Sequence, residues 1–401
     1  MIRLLKGSVL LPGSKSESNR ALMIAAYGGF PLQVENLSDA HDTILLKSLL
    51  DNTPSVVDCE DAGTVARFLL TYLANKPGTW QLTGTSRLCE RPMVPLVNAL
   101  RQLGAEIGNS FPLTIVGKSL HGGSVTLDAS QSSQFASSLL MAAPTWEQGL
   151  QLTLTGNLVS MPYLEMTMNM MEHFGVQVVR ESRTVTVAHQ SYQNHPYIVS
   201  PDWSAASYWY EMMALSDGGT LLLKGLKADS LQGDAVVRQW FERFGVLTVF
   251  DEQGAWLTKD EDLRAPDTQE LVFDFTDVPD LFPSIFVTCV ALHYRSRFLG
   301  IQNLSLKESN RVDSLISELS KIYTFINIYN DDGLVIGKSL INESYINTKN
   351  VIFNTYKDHR VVMSLAPVIG RPNPLGFDDP GVVTKSYPAF WNDVKNNCLF
   401  L

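Results

Sequence analysis

A chain of 401 residues is longer than one hydrophobic core comfortably organises and suits two domains. Its 45% hydrophobic and 18% charged residues are those of an ordinary globular protein, and a net charge of -10 excludes a general nucleic-acid binder, which needs a basic face. Any anion site must therefore be built locally, against the overall field. Cys59, Cys89, Cys289 and Cys398 lie far apart with no C-x-x-C pair, so neither a zinc site nor a disulfide framework is expected, and a reducing compartment is the simpler setting. The opening "MIRLLKGSVLLPGSKS" lacks a signal-peptide core, and no apolar run approaches the ~18 residues of a membrane helix, so a cytoplasmic location is expected.

The first helical signal is "GSKSESNRALMIAA", residues 13 to 26, a polar turn feeding an apolar run. Ser14 and Glu17 have the spacing of a capping box. Lys15 and Arg20 bring cations to the positive end of the helix dipole, which costs up to ~1 kcal/mol unless they face something negative. Either they reach solvent or an anion is held there. The same pattern returns in "DAGTVARFLLTYLA" from 61, "SSQFASSLLMAAP" from 132, "DWSAASYWYEMMAL" from 202, "VPDLFPSIFVTCVAL" from 278 and "KDHRVVMSLAPVI" from 357. Each is apolar nearly all round, as a helix buried inside a domain should be.

Between these segments run helices with a one-sided stripe. Met93, Leu96, Val97, Leu100 and Leu103 recur at i, i+3, i+4, i+7 and i+10, and Val312, Leu315, Ile316, Leu319 and Ile322 repeat that spacing. "YLEMTMNMMEHFGVQVV" and "DAVVRQWFERFGVLTVF" look related, and Gly104, Gly175 and Gly245 stand where a helix C-cap would lead into a strand. The implied unit is strand, buried helix, strand, amphipathic helix and one or two strands, repeated about six times with shortened first and last copies. Proline and turn residues in "HPYIVSPDW" place the crossover near 201, giving one domain over 14–201 and a second from 1–13 plus 202–401.

The buried helices begin with polar groups: Lys15, Ser16 and Arg20; Gly63 and Thr64; Ser132, Ser133 and Gln134; Asp202; Asp280; and Asp358, His359 and Arg360. Serines at such ends are ordinary N-caps one by one, yet converging helix N-termini form anion sites. Arg91, Lys307, Arg311 and Lys385 add cations, suiting a substrate pair that carries phosphate or carboxylate. Asp280 and Glu308 are candidates for proton transfer or counter-ions to the arginines. No His, Asp and Glu cluster has metal-ligand spacing, so no metal or other cofactor is expected, and the first glycine-rich turn is not a P-loop.

In order, "LPGSKSESNRAL", "DAGTVARFL", "LTGTSRLCERPMVPLVNALRQLGA", "SSQFASSLLMAAP", "LVSMPYLEMT", "LQGD", "VPDLFP", "LKESNR", "KDHRVVM" and "TKSYP" resemble the enolpyruvyl transferase family, in its branch acting on shikimate 3-phosphate. The resemblance covers nearly the whole chain. It implies an α/β fold of two domains, each an inside-out α/β barrel of three βαβαββ units, with the active site in the interdomain cleft. It assigns shikimate 3-phosphate to Lys15, Ser16, Arg20, Ser132, Ser133, Gln134, Ser160, Tyr163, Asp280, Asn303 and Lys307. Phosphoenolpyruvate falls to Lys15, Gly63, Arg91, Gln134, Arg311, Arg360 and Lys385. Asp280 is the implied base and Glu308 the implied acid, with Lys15 and Lys385 stabilising charge; a monomer without nucleic-acid or membrane partners follows.

The chain departs from that pattern at Glu60 and Asp61, which bring negative charge to the loop before Gly63, and at Phe68, Ser305 and Asn310. The competing readings are the related UDP-N-acetylglucosamine enolpyruvyl transferase and a non-catalytic anion-binding homologue. The first lacks its K-N motif and its cysteine-bearing mobile loop here; the second draws only on the acidic loop.

Overall fold

The computed structural model describes residues 2–266, 268–330, 333–341, 351–368 and 376–400. It divides into two units, Gly13–Val199 and the combination of Met1–Pro12 with Ser200–Leu401.

Within Gly13–Val199, helix α1 spans Lys15–Gly28, α2 His41–Asp51, α3 Gly63–Asn75, α4 Ser86–Glu90, α5 Val94–Gln102, α6 Ser133–Ala142 and α7 Met161–His173. Two four-stranded sheets share one design. In the first, Val56–Asp58 lies parallel to Gly78–Thr83, which pairs antiparallel with Leu113–Gly117 and so carries Glu106–Ile107 at its edge. In the second, Gly123–Asp128, Leu150–Thr155, Thr184–Val187 and Val179–Glu181 repeat that order and those directions. Each is a βαβαββ unit. A parallel pair, Val34–Glu35 with Tyr197–Ile198, joins the beginning and end of this unit.

The other unit contains α8 Trp203–Leu215, α9 Val237–Glu242, α10 Phe282–Ala291, α11 Arg311–Leu319, α12 His359–Leu365 and α13 Phe390–Asn397. Its five-stranded sheet runs Val246–Asp251, Gly254–Lys259, Gly219–Lys224, Ile2–Val9, Cys398–Phe400, so the two ends of the chain pair with each other. A four-stranded sheet of Leu271–Asp274, Ser296–Leu299, Gly333–Ile336 and Asn327–Asn330 has the same parallel-then-antiparallel pattern.

The two helix types separate by burial. Every residue of α10 and α12 is buried, as are positions 203–214 of α8, whereas α5 buries Leu96, Val97, Ala99 and Leu100 and leaves its other face to solvent. Gly104 and Gly175 adopt left-handed φ of 92° and 83°, and the next amide in each case reaches back five residues, from Ala105 to Leu100 and from Val176 to Met171. That closure ends the helix and turns the chain toward its sheet.

Two helix starts differ from the sequence pattern. The segment from 278 opens with a 3-10 turn, Pro279–Leu281, and α10 begins only at Phe282, because Pro279 and Pro283 favour first-turn positions. The segment from 357 cannot start at Lys357, whose φ is 55°; Asp358 caps α12, and Ala366–Val368 continues as a 3-10 turn. Ile369 lies outside the described residues. All four cysteines are free thiols, and among the described residues no helix is long and apolar enough to cross a membrane.

Helix α8 carries Glu211 into the core, fully buried and, among the described residues, with no hydrogen-bond partner on either carboxylate oxygen. Burial pushes its pKa well above the usual carboxyl range. From an unfolded value near ~4.3 up to the raised folded one, the native state holds the extra proton, so stability falls as pH rises, by about 1.4 kcal/mol per unit. Urea midpoints for Glu211→Gln across pH 5 to 9 should lose that slope and exceed wild type most at the alkaline end.

Candidate active site

The anion-ready residues of Gly13–Val199 gather at the starts of α1, α2, α3 and α6. Ser14 caps α1, accepting from the Glu17 amide at 3.4 Å, while the Glu17 carboxylate accepts from the Tyr197 hydroxyl. Lys15, the first residue of α1, answers the question its position raises: its ammonium lies 2.9 Å from the buried carboxylate of Asp42 in the first turn of α2. The next residue along, Thr43, donates to Asn19 of α1. Arg20 is almost wholly buried and donates to Thr167 Oγ1 at 2.7 Å, Ser16 O at 2.9 Å, Tyr163 O at 3.0 Å and Ser137 Oγ at 3.3 Å. It therefore ties α1 to α6 and α7; burial lowers its pKa to about 10, which still leaves a cation at neutral pH.

Gly63 opens α3 under the guanidinium of Arg91. A Cβ at Gly63 would lie 2.6 Å from Arg91 Cζ, so only glycine admits this approach without displacing the arginine. Arg91 also donates to the Asp61 carbonyl at 3.4 Å. Ser132 caps α6, accepting from the Gln134 amide, and Ser133 is buried behind it. Gln134 bridges helices: its oxygen accepts from Arg67 at 2.7 Å and its amide donates to Thr64 at 2.9 Å. Ser160, before α7, has a left-handed φ of 55°, and Tyr163 follows in the first turn of α7.

The acidic departures are tied back. Glu60 is left-handed at φ 49°, its amide donating to Asp58 Oδ1 and its carbonyl accepting from Thr85. Its carboxylate meets His41 Nε2 at 2.7 Å, and the Asp61 carboxylate accepts from the Thr85 hydroxyl. Phe68 is buried with the Arg20 guanidinium 5.7 Å from its ring. Asn310 caps α11, a role asparagine fills as well as aspartate.

In the other unit the centre is Asp280. Its Oδ1 accepts from Arg311 at 2.9 Å with Lys307 Nζ at 3.6 Å, and its Oδ2 accepts from Arg360 at 2.8 Å. Burial works to raise its pKa, but Arg360, Lys307 and Arg311 outweigh that and hold it well below the usual carboxylate range. Arg311, itself buried, also donates to Glu308 Oε2 and to Asp358 Oδ2, both at 2.9 Å. Asp358 further accepts from Ser309 and from the amide of Arg360, so one buried carboxylate orients Arg311 and caps the helix that carries Arg360. Asn303 lies in the 3-10 turn Gln302–Leu306 beside α11, and Lys385 ends the 3-10 turn Pro380–Lys385 packed on α12.

Sequence reasoning missed Asp42, Arg67, Asp234 and the anchoring role of Asp358. Nothing local marked Asp42. Arg67 stood one residue from the departure at Phe68, and Asp234 inside "LQGD". Asp234 accepts from Ser204 and is pushed up to about 6, first by burial and then by the charge of Asp280. Among the described residues no group of three or more His, Cys, Asp and Glu side chains is placed to hold a metal ion.

Buried helices that begin with anion-ready groups, on repeated βαβαββ units, define the enolpyruvyl transferase fold. An EPSP synthase from Acinetobacter baumannii superposes with a TM-score of 0.74 at 20% identity, over 100% of this chain and 97% of that one. The enolpyruvyl transferase NikO from Streptomyces tendae gives 0.71 at 14%, over 100% and 96%. Residues 45–394 match the family model described as EPSP synthase (3-phosphoshikimate 1-carboxyvinyltransferase). The 3-phosphoshikimate 1-carboxyvinyltransferase of Bacteroides fragilis strain YCH46 is 40% identical over 98% of this chain and 95% of its own length, and that of Vibrio cholerae strain M66-2 is 31% identical over 98% and 96%. The chain belongs to the EPSP synthase family.

Removing the Asp358 carboxylate leaves the buried Arg311 with one counter-ion fewer. Asp358→Ala should cost about 3–5 kcal/mol in chemical denaturation, more than the same change at the exposed Asp51, where the pair with Lys47 is worth under ~1 kcal/mol.

Proposed function

We propose that this chain transfers the enolpyruvyl group of phosphoenolpyruvate to the 5-hydroxyl of shikimate 3-phosphate and releases phosphate, a step of aromatic amino-acid biosynthesis. Family membership over nearly the whole chain supports the reaction, and the three-cation grip on Asp280 is the single observation that best supports its chemistry. Lys15, Ser16, Arg20, Ser132, Ser133, Gln134, Ser160, Tyr163, Asp280, Asn303 and Lys307 bind shikimate 3-phosphate. Lys15, Gly63, Arg91, Gln134, Arg311, Arg360 and Lys385 bind phosphoenolpyruvate. The enzyme works as a cytoplasmic monomer, without cofactor or metal.

Asp280 takes the proton of the 5-hydroxyl as that oxygen attacks C2 of phosphoenolpyruvate, and Glu308 protonates the methylene carbon. The resulting tetrahedral adduct returns a methyl proton to the Glu308 carboxylate and expels phosphate, which takes the proton held by Asp280, restoring the double bond and both carboxyl groups. A carboxylate held far below its usual pKa is ionised but a weak base. Substrate phosphate and carboxylate groups engage Lys307, Arg311 and Arg360, relieve their hold on Asp280, and raise its basicity when the hydroxyl is in place. Lys15 and Lys385 stabilise the charge that develops on the phosphoenolpyruvate oxygens.

The non-catalytic reading drew on the acidic loop; Glu60 is engaged by His41 and Asp61 by Thr85, which removes its motive. Phosphate release should require both substrates and vanish in Lys15→Ala. Release from phosphoenolpyruvate alone, or none with both present, overturns the reading. Asp280→Asn and Glu308→Gln should each lower kcat by roughly 10²–10⁴ with smaller changes in KM, and near-normal turnover in either would remove that residue from its role.

A further inference from the structure

The loop that leads into Gly63 carries a full negative charge at Glu60, three residues before the backbone assigned to phosphoenolpyruvate. Left to itself, that carboxylate would repel an incoming anion across a distance at which salt screens only partly. The backbone of Glu60 is fixed from both sides, by the Asp58 side chain at its amide and the Thr85 amide at its carbonyl. Only its side-chain torsions remain free to choose a direction.

The direction is set by α2. His41 is the first residue of that helix, and its Nε2 is 2.7 Å from Glu60 Oε2; facing a carboxylate, that nitrogen must carry the hydrogen. Ala40, at the N-cap, supplies no side-chain cap, and Asp42 in the first turn and Glu60 against the His41 ring bring negative charge to this helix start. The adjacent residue, Asp42, holds the Lys15 ammonium at 2.9 Å. Two consecutive side chains of α2 thus engage charged groups from two other segments, Asp42 the lysine that opens α1 and His41 the acid of the loop before Gly63.

We infer that His41 is a positioning residue for phosphoenolpyruvate affinity, acting by holding the Glu60 carboxylate at the start of α2 and off the anion subsite at Gly63 and Arg91. This rests on the functional reading above. The pair is half-exposed on both sides, so its effect is modest and falls with salt.

The test is a double-mutant cycle on the full-length enzyme, reading kcat and KM for phosphoenolpyruvate at saturating shikimate 3-phosphate, at low and high ionic strength. His41→Ala should raise KM roughly 2- to 5-fold with kcat nearly unchanged, and less so at high salt. Glu60→Gln should match wild type or bind slightly tighter. In the double variant the KM should return to the Glu60→Gln value, because the charge that His41 restrains is gone. A merely structural His41 would leave the double variant as impaired as His41→Ala, and that result overturns the inference, as does an unchanged KM in His41→Ala itself. Wild type without turnover overturns the functional reading and this inference together; wild-type turnover without the rescue overturns the inference alone.

Discussion

A helix buried on every side has only its ends left for polar chemistry, and the rest of this structure follows from that constraint. In α8, α10 and α12 the lateral faces are committed to the core, so the charged groups Asp202, Asp280, Asp358 and Arg360 collect in the first turns and the turns that precede them. Those turns also expose the unsatisfied amides and the positive dipole end. Repeating the βαβαββ unit brings several such ends together within each unit, and the anion-ready groups accumulate without any stretch of the chain becoming basic. A protein of net charge -10 can hold anionic substrates on these terms.

Lys15, Arg311 and Arg360 are each fixed by a carboxylate, whereas Arg20 is held by hydroxyl and carbonyl oxygens. Lys15 has Asp42, Arg311 has Asp358 and Glu308, and Arg360 has Asp280. Pairing of this kind adds little net stability to a buried site, because desolvation offsets most of the Coulomb gain. What it supplies is direction: Arg311, tied at Nε and both terminal nitrogens to Asp358, Asp280 and Glu308, has the plane of its guanidinium fixed. It also holds the Asp280 carboxylate well below the usual carboxylate range, and so ionised. Glu211 is the contrasting case, a carboxylic acid in the same unit that burial alone pushes toward its neutral form, with no hydrogen-bond partner among the described residues.

The sequence made the repeat legible because burial imposes a period that residues must obey. The stripe from Met93 to Leu103 and the all-round apolar runs at 203–214 and 282–291 announced which helices lie inside and which cover a sheet. Helix starts were less legible: Asp280 sits in a 3-10 turn rather than on the helix, and Lys357 turns the chain left-handed before α12. Prolines and single φ values decide such details, and periodicity does not register them. The partnerships were the least visible. Asp42 is an unremarkable acid in "HDTILL", and only its position across from Lys15 makes it part of a site.

By itself the sequence determined the alternation of strands and two helix types, the family, and the residue types gathered at the helix starts, because each of these is written in local spacing or in motifs. Only the tertiary structure decided which acid faces which base. It put Glu60 against His41 rather than toward Arg91, made Asp358 an anchor rather than a cap alone, and buried Arg20 in a tie between helices. Those outcomes depend on approaches between segments from 19 to 147 residues apart, and Coulomb and hydrogen-bond energies are set by such distances in space.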